Sequence, residues 1–267
     1  MFRTIINNIP FSFLVIFLML TFMAITYLFS RLSDSWLHIT ADIAHIKLTN
    51  TLMGILASGF FVLLAFIIIN TWNYQQEARN ATSKEAACLS VLLRNVNVFP
   101  KTDQEKIQKA VAEYASDVRV DEWKTMRQGQ ESDAARISLE KLNTEIQNLQ
   151  PTSYQDKLYH GLMTVDFNDL LQARRDRLSK IDSIIPKTLI NTVWAYSIFL
   201  AIIVGLIRGK DTLINLTPVL LFSGLLGLNL ALAINFDYPF SGEISVTNRD
   251  FYKGTLGIFP DKVPDTR

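Results

Sequence analysis

Residues 60–99 read FFVLLAFIIINTWNYQQEARNATSKEAACLSVLLRNVNVF, a run without a single glycine or proline. Those are the two residues that most readily stop a helix, so the run predicts one unbroken helix. Its first part is apolar enough for hydrocarbon and the rest is polar, which predicts a helix that leaves a bilayer and continues into water. Steps of three and four residues pick out one stripe: Ala57, Phe61, Leu64, Ile68, Thr71, Gln75, Ala78, Thr82, Glu85, Leu89, Leu92, Val96 and Phe99. That spacing makes a seam of coiled-coil type. Two readings of it stand open. With Thr71, Gln75, Thr82 and Glu85 in its middle, the stripe can line a water-filled path behind an apolar constriction of Phe61, Leu64 and Ile68 that gates by dewetting. Alternatively it is a packing seam whose polar part lies at the headgroups.

Working outward, the apolar part of this run is one of four apolar blocks, at residues 10–29, 52–72, 189–207 and 216–234. Each is close to the ~20 residues that a spanning helix needs. The expected fold is all-α, with four transmembrane helices and a large helical insert between the second and third. The corresponding division is 1–72 for the first two spans and their loop, 73–186 for the insert, 187–235 for the last two spans and 236–267 for the tail. The first block is too long for a signal-peptide core and lacks a convincing small-residue cleavage site, so it is expected to be retained.

Charge is nearly balanced, with 26 Lys and Arg against 25 Asp and Glu, which gives no reason to expect a nucleic-acid partner. Its distribution is informative. Arg3, Arg79, Lys84, Arg174, Arg175, Arg177, Lys180, Lys187, Arg249 and Lys253 lie near span ends on the side of the termini and insert, against Arg31, Lys47, Arg208 and Lys210 on the other. The positive-inside rule then places both termini and the insert in the cytoplasm. Tyr27, Trp36, Trp72, Tyr74, Trp194 and Tyr196 fall near the predicted boundaries, where amphipathic rings are at ease. Cys88 is the sole cysteine, so neither an intramolecular disulfide nor a cysteine zinc site can form.

The central parts of the four blocks hold no Asp, Glu, Lys, Arg or His. This argues against a proton relay or carboxylate-coupled transporter and leaves a passive pore or a structural bundle. Ser223, Gly227 and Ala231 recur every four residues, as do Gly54 and Ser58. Small residues at that spacing let backbones approach closely, either between copies or within one subunit.

In the insert, Pro100 breaks the long helix, and Thr102 with Glu105 predicts a capping box ahead of Ile107, Val111, Tyr114 and Val118. Gly129 weakens the pattern. A helix is expected from Ser132, with Ala135, Leu139, Leu142, Ile146 and Leu149 on one face, ending at Pro151. Another starts around Thr152 and passes Leu158, Leu162 and Val165 to a basic run at 174–177, before the chain re-enters the membrane near Pro186. The absence of a Gly-rich strand-to-helix turn argues against a nucleotide site. Arg174, Arg175 and Arg177 can draw anions to a pore mouth or bind anionic lipid, or they enforce topology and pair with carboxylates such as Glu85.

Asp34, His38, Asp42 and His45 are spaced by four, four and three residues, so on a helix they share a face. Two His and two Asp can coordinate zinc or another divalent ion, although a short interfacial helix with a polar outer face has the same pattern. His160 reads as a surface or packed residue. No Ser or Cys nucleophile has an identifiable base and orienting acid, so the sequence points away from an enzyme and calls for no cofactor. After the fourth block, Pro239 and Gly242 force a turn, and Ile244 to Val246 either alternate as a strand or pack back on the insert.

The pattern Asp237, Pro239, Phe240, Gly242 resembles the signature of the bestrophin-like proteins of bacteria and plants, as does the run Ala65, Phe66, Trp72, Ala78, Glu85, Ala86. The resemblance implies four spans, a helical cytosolic domain and a homo-oligomer in the bacterial inner membrane. True bestrophins are pentameric ion channels with an apolar neck on the second span and a calcium-binding acidic string after the fourth. Position on the span makes Phe61, Leu64 and Ile68 the counterpart of the neck. Here Ser241 is inserted and Ile244, Ser245 and Val246 follow Glu243 in place of acids, so the resemblance does not extend to calcium gating. The function it implies is a pentameric, anion-conducting passive channel whose partners are the lipid bilayer, further copies of the chain and inorganic ions. The competing expectation is a membrane-anchored interaction or sensing protein whose helical insert binds a partner.

Overall fold

The computed structural model describes residues 2–36, 43–206 and 213–261, and every regular element among them is a helix. A short α1 (Phe2–Asn8) precedes α2 (Phe11–Trp36) and the long α3 (Ile43–Asn95). The insert contributes α4 (Lys101–Asp117), a π-helical segment (Val118–Glu122), α5 (Trp123–Gln128), α6 (Asp133–Gln147) and α7 (Tyr154–Leu178). Then come α8 (Lys187–Leu206), α9 (Leu213–Phe236) and two 3₁₀ turns (Arg249–Tyr252 and Gly254–Ile258). Among the described residues four helices are long and apolar enough to cross a membrane: Phe11–Ser33, Asn50–Val98, Lys187–Leu206 and Leu216–Phe236. The chain is an integral membrane protein with a large helical insert between its second and third spans.

The contacts divide the chain into two compact units. The first consists of Met1–Tyr74, Ser183–Asp237 and Gly242–Ile244. In it α2 packs closely on α9 and α8. Gly227 lies so near α2 that an added Cβ would sit 2.5 Å from the Leu18 backbone, and one on Gly205 would sit 2.6 Å from the Thr26 carbonyl. Ser223 and Ala231 on the same face are fully buried. The Ser223 and Thr26 hydroxyls lie 2.6 Å apart, and Thr26 donates to the Ala201 carbonyl at 3.0 Å. The Ser223, Gly227, Ala231 stripe therefore serves packing within one protomer. Gly54 and Ser58 on α3 do not: Gly54 has open space around it and Ser58 is exposed.

The second unit is Gln75–Asp182, Tyr238–Ser241 and Ser245–Arg267. Its core gathers Leu89 and Leu92 of α3 and Val96 and Phe99 just beyond it with Ile107, Val111 and Tyr114 of α4, Leu142 and Ile146 of α6, and Met163 and Leu170 of α7. Burying each such side chain contributes about 1.5–3 kcal/mol. Helix starts follow cap chemistry. Ser132 accepts from the Ala135 amide ahead of α6, and Ser153 with Asp156 makes a full capping box ahead of α7. Backbone and hydroxyl donors of Thr152 and Ser153 hold the Asp156 pKa down to about 2. The expected box of Thr102 and Glu105 does not form. Lys101 already starts α4, so Pro100 occupies the cap position and its carbonyl takes the Asp103 and Gln104 amides. Gly129, at φ 87°, ends α5 in the left-handed conformation that suits glycine. The segment after Gly242 forms no strand. Val246 is buried in a cluster with Ala78, Met126, Ile181 and Phe240.

The two glycine environments predict opposite responses in detergent-solubilised protein. Gly227→Ala forces Leu18 aside and should lower unfolding stability by about 1–3 kcal/mol. Gly54→Ala meets nothing and should be neutral or stabilising. Equal thermal shifts for the two variants would contradict this packing.

Candidate functional site

The seam on α3 is enclosed by the protomer's own side chains through its polar middle. Thr71, Gln75, Thr82 and Glu85 are all at most 1% exposed. Thr71 and Thr82 return their hydroxyls to their own helix, at 3.0 Å from the Ile67 carbonyl and 2.9 Å from that of Ala78. In the apolar part the buried stripe is Met53, Ala57, Phe60, Leu64, Ile67 and Thr71. Leu64 is 1% exposed and points into the protomer. Phe61 and Ile68 are half-buried on the margin of that stripe. The Phe61 ring meets Phe222 edge-on at 5.5 Å, while Phe60 stacks on Tyr196 at 4.8 Å. The remaining perimeter of α3 is open and apolar, with Ile55, Val62, Phe66 and Ile69 each more than half exposed. From sequence the stripe ran through Phe61 and Ile68; the structure buries their neighbours Phe60 and Ile67. Both registers fit steps of three and four, and only the facing aromatic residues decide between them.

A buried charge network joins α3, α4, the π-helical segment and α7. Arg177, fully buried, donates Nε to Glu85 Oε2 at 2.6 Å and Nη2 to Glu85 Oε1 at 2.9 Å, the bidentate geometry that suits guanidinium. Its Nη2 also bonds Glu122 Oε2, its Nη1 lies 2.9 Å from the Met126 sulfur, and the guanidinium sits 5.6 Å from the Trp123 ring. Arg174 donates Nη2 to Glu122 Oε1 at 2.5 Å, and the Tyr114 hydroxyl donates to Glu85 Oε1 at 2.6 Å. Two carboxylates thus face two guanidiniums, and the network is neutral. Burial pushes the Glu122 carboxyl up, but Arg177 and Arg174 outweigh it and hold its pKa below the ordinary 4.5. Burial and the neighbouring Glu85 and Glu122 charges drive the Tyr114 pKa well above 10, so the phenol stays protonated and donates. Of the basic run, Arg174 and Arg177 enter the network, while Arg175 is exposed. Glu122 and Tyr114 carried no such signal in the sequence, because their partners lie more than 50 and nearly 30 residues away.

The turn after α9 contributes residues to both units. Asp237, 5% exposed, accepts from the Ser183 hydroxyl at 2.5 Å and from the Ile184 and Ile185 amides at 3.0 Å each. Burial raises its pKa against the opposing pull of these three donors. Pro239 offers its carbonyl to the Val246 amide at 2.7 Å, and Phe240 packs edge-on against Trp123 at 5.7 Å. Gly242 has φ 81°, an added Cβ there would strike the Ile6 side chain, and its amide donates to Asn7 Oδ1 at 3.0 Å. Glu243 Oε2 accepts the Phe11 amide at the start of α2, at 2.9 Å. His38 and Asp42 lie outside the described residues, as do the side chains of Asp34 and His45. Among the described residues no group of three or more His, Cys, Asp or Glu can hold a metal ion. His160 Nε2 lies 3.2 Å from the Ile146 carbonyl, a packing role.

An apolar four-span unit, a helical insert and a Pro-Phe-x-Gly turn after the last span together define a bestrophin-type membrane protein. Residues 16–251 match the Bestrophin-like domain family, and the chain belongs to it. No curated protein sequence matches it. Among solved structures, one point variant of a bacterial bestrophin homologue from Klebsiella pneumoniae is similar with a TM-score of 0.68 at 15% identity, covering 88% of this chain and 95% of that one. A second variant of that homologue gives 0.65 at 15% identity, with 89% and 97% covered. A point variant described as a membrane protein gives 0.67 at 15% identity, with 89% and 97% covered. At this identity the likeness is one of fold.

Removing one partner from the network leaves buried charge uncompensated. Arg177→Met should cost about 3–5 kcal/mol of unfolding stability, whereas Arg136→Ala, at an exposed site, should stay within about 0.5 kcal/mol. Equal losses would contradict the network. Because the folded pKa of Glu122 lies below its unfolded value, its stabilisation is present above that value and lost as pH falls through the folded one. Unfolding stability should therefore drop below about pH 4.5, and Glu122→Gln should flatten that drop.

Proposed function

We propose that this chain is one subunit of a pentameric, anion-conducting channel of a bacterial cytoplasmic membrane, with both termini and the helical insert in the cytoplasm. The observation behind this reading is the surface of α3. A spanning helix that buries a single stripe and leaves Ile55, Val62, Phe66 and Ile69 open has faces to offer both lipid and further copies of itself. On α7, outside the spans, Tyr154, Leu158, Leu162 and Val165 form an exposed apolar row. An unpartnered row of that kind on a helix in water fits burial against a second copy. Family membership supplies the rest of the analogy, because bestrophins conduct ions passively through a pentamer.

In this reading the ion path follows α3. Phe61 and Ile68 narrow it with apolar side chains that close by dewetting, and Leu64 backs them from inside the protomer. Arg175 adds positive potential for anions at the cytoplasmic side, while Glu85 and Arg174 are engaged in the neutral network. Calcium control through the turn after α9 is not part of the proposal. Asp237 and Glu243 already accept backbone amides, and no acidic string follows them.

Purified protein reconstituted in liposomes should pass current whose reversal potential follows the chloride gradient. Phe61→Ala and Ile68→Ala should raise conductance by at least about twofold by widening the apolar constriction. Bilayers silent across salts and membrane potentials would overturn the channel reading, and unchanged currents in both variants would remove the constriction.

A further inference from the structure

The second unit holds a cleft between α6 and α7. One part, about 250 Å³, is lined by Leu139 and Phe167 together with Arg136, Glu140, Arg174 and Arg175. A second part, about 290 Å³, shares Asn143, Phe167 and Leu171 with the first and adds Gln147, His160, Thr164 and Asn168. The cleft thus has a basic end and an end of amide, hydroxyl and imidazole groups, over a shared apolar floor.

The charges at the basic end are unequally used. Arg136 is held by Asp133 at 3.2 Å and Glu140 at 2.9 Å. Arg175 is exposed and has no carboxylate partner among the described residues. Arg174 is 8% exposed, only its Nη2 meets a carboxylate, and its Nε is buried without a hydrogen-bond partner. A buried guanidinium N–H left unpaired is costly and uncommon. Guanidiniums are also the groups best shaped to take a planar or tetrahedral oxyanion.

We infer that the α6–α7 cleft binds a small solute with a phosphate or carboxylate head, the head on Arg174 and Arg175 and an uncharged polar body over Phe167 and Leu171. The head would share Arg174 with Glu122, whose other oxygen is held by Arg177, the partner of Glu85 on α3. Occupancy is thereby linked to α3 through three ion pairs in series. The site does not depend on whether the protein conducts ions.

Calorimetric titration of the full-length protein in detergent tests it, with inorganic phosphate, glucose 6-phosphate and glucose as probes. Phosphate should bind with a dissociation constant of about 1 mM. Glucose 6-phosphate should bind more tightly, and glucose should not bind. Arg175→Glu should weaken both phosphate probes by about tenfold or more, while Arg94→Glu, at an exposed position on α3, should leave them unchanged. No heat from either phosphate probe up to tens of millimolar would overturn the inference. So would an Arg175→Glu variant that binds as the wild type does, or equal weakening by Arg94→Glu.

Discussion

Everything polar on the buried stripe of α3 has to be satisfied without water, and that requirement organises the second unit. Thr71 and Thr82 meet it locally, by bonding the carbonyl one turn back. Glu85 has no local acceptor for its charge, and an isolated buried carboxylate is too costly to persist. It draws in Arg177 as a bidentate partner, and Arg177 in turn needs Glu122, which needs Arg174. The outcome fixes α7 and the π-helical segment against α3 and α4. Replacing such a network by an apolar core of the same volume is often neutral or stabilising, yet breaking it by removing one partner is expensive.

The membrane unit rests on a different device. Its three closely packed helices approach through glycine and hydroxyl positions, with Gly227 against Leu18 and Gly205 against Thr26. The acids at its edge are spent on backbone amides, Asp237 on Ile184 and Ile185, and Glu243 on Phe11. Glu243 caps the first turn of α2, and Asp237 holds the turn that leads into α8. The apolar surface left open on α3 is then the feature that calls for company.

Much of this was legible in the chain itself. The four spans, the uninterrupted α3 and the breaks at Pro100, Gly129 and Pro151 follow from local rules of hydropathy and helix termination. The family turn was visible through Asp237, Pro239, Phe240 and Gly242. Features that depend on distant partners were not. The register of the buried stripe, Phe60 and Ile67 in place of Phe61 and Ile68, is set by contacts such as Tyr196 against Phe60. The cap of α4 lies at Pro100, two residues before Thr102, because the Pro100 carbonyl already takes the Asp103 and Gln104 amides. Glu122 and Tyr114 gave no sign of their role, since ion pairs across a helical domain leave no mark in sequence spacing.

The central claim is that the open face of α3 is closed by further copies of the chain around an axial path. Cryo-electron microscopy of the purified protein in gentle detergent or nanodiscs tests it most directly. The account predicts a ring of five copies with α3 nearest the axis and the half-buried Phe61 and Ile68 at its narrowest point. A monomer, or a dimer with no central axis, would contradict it.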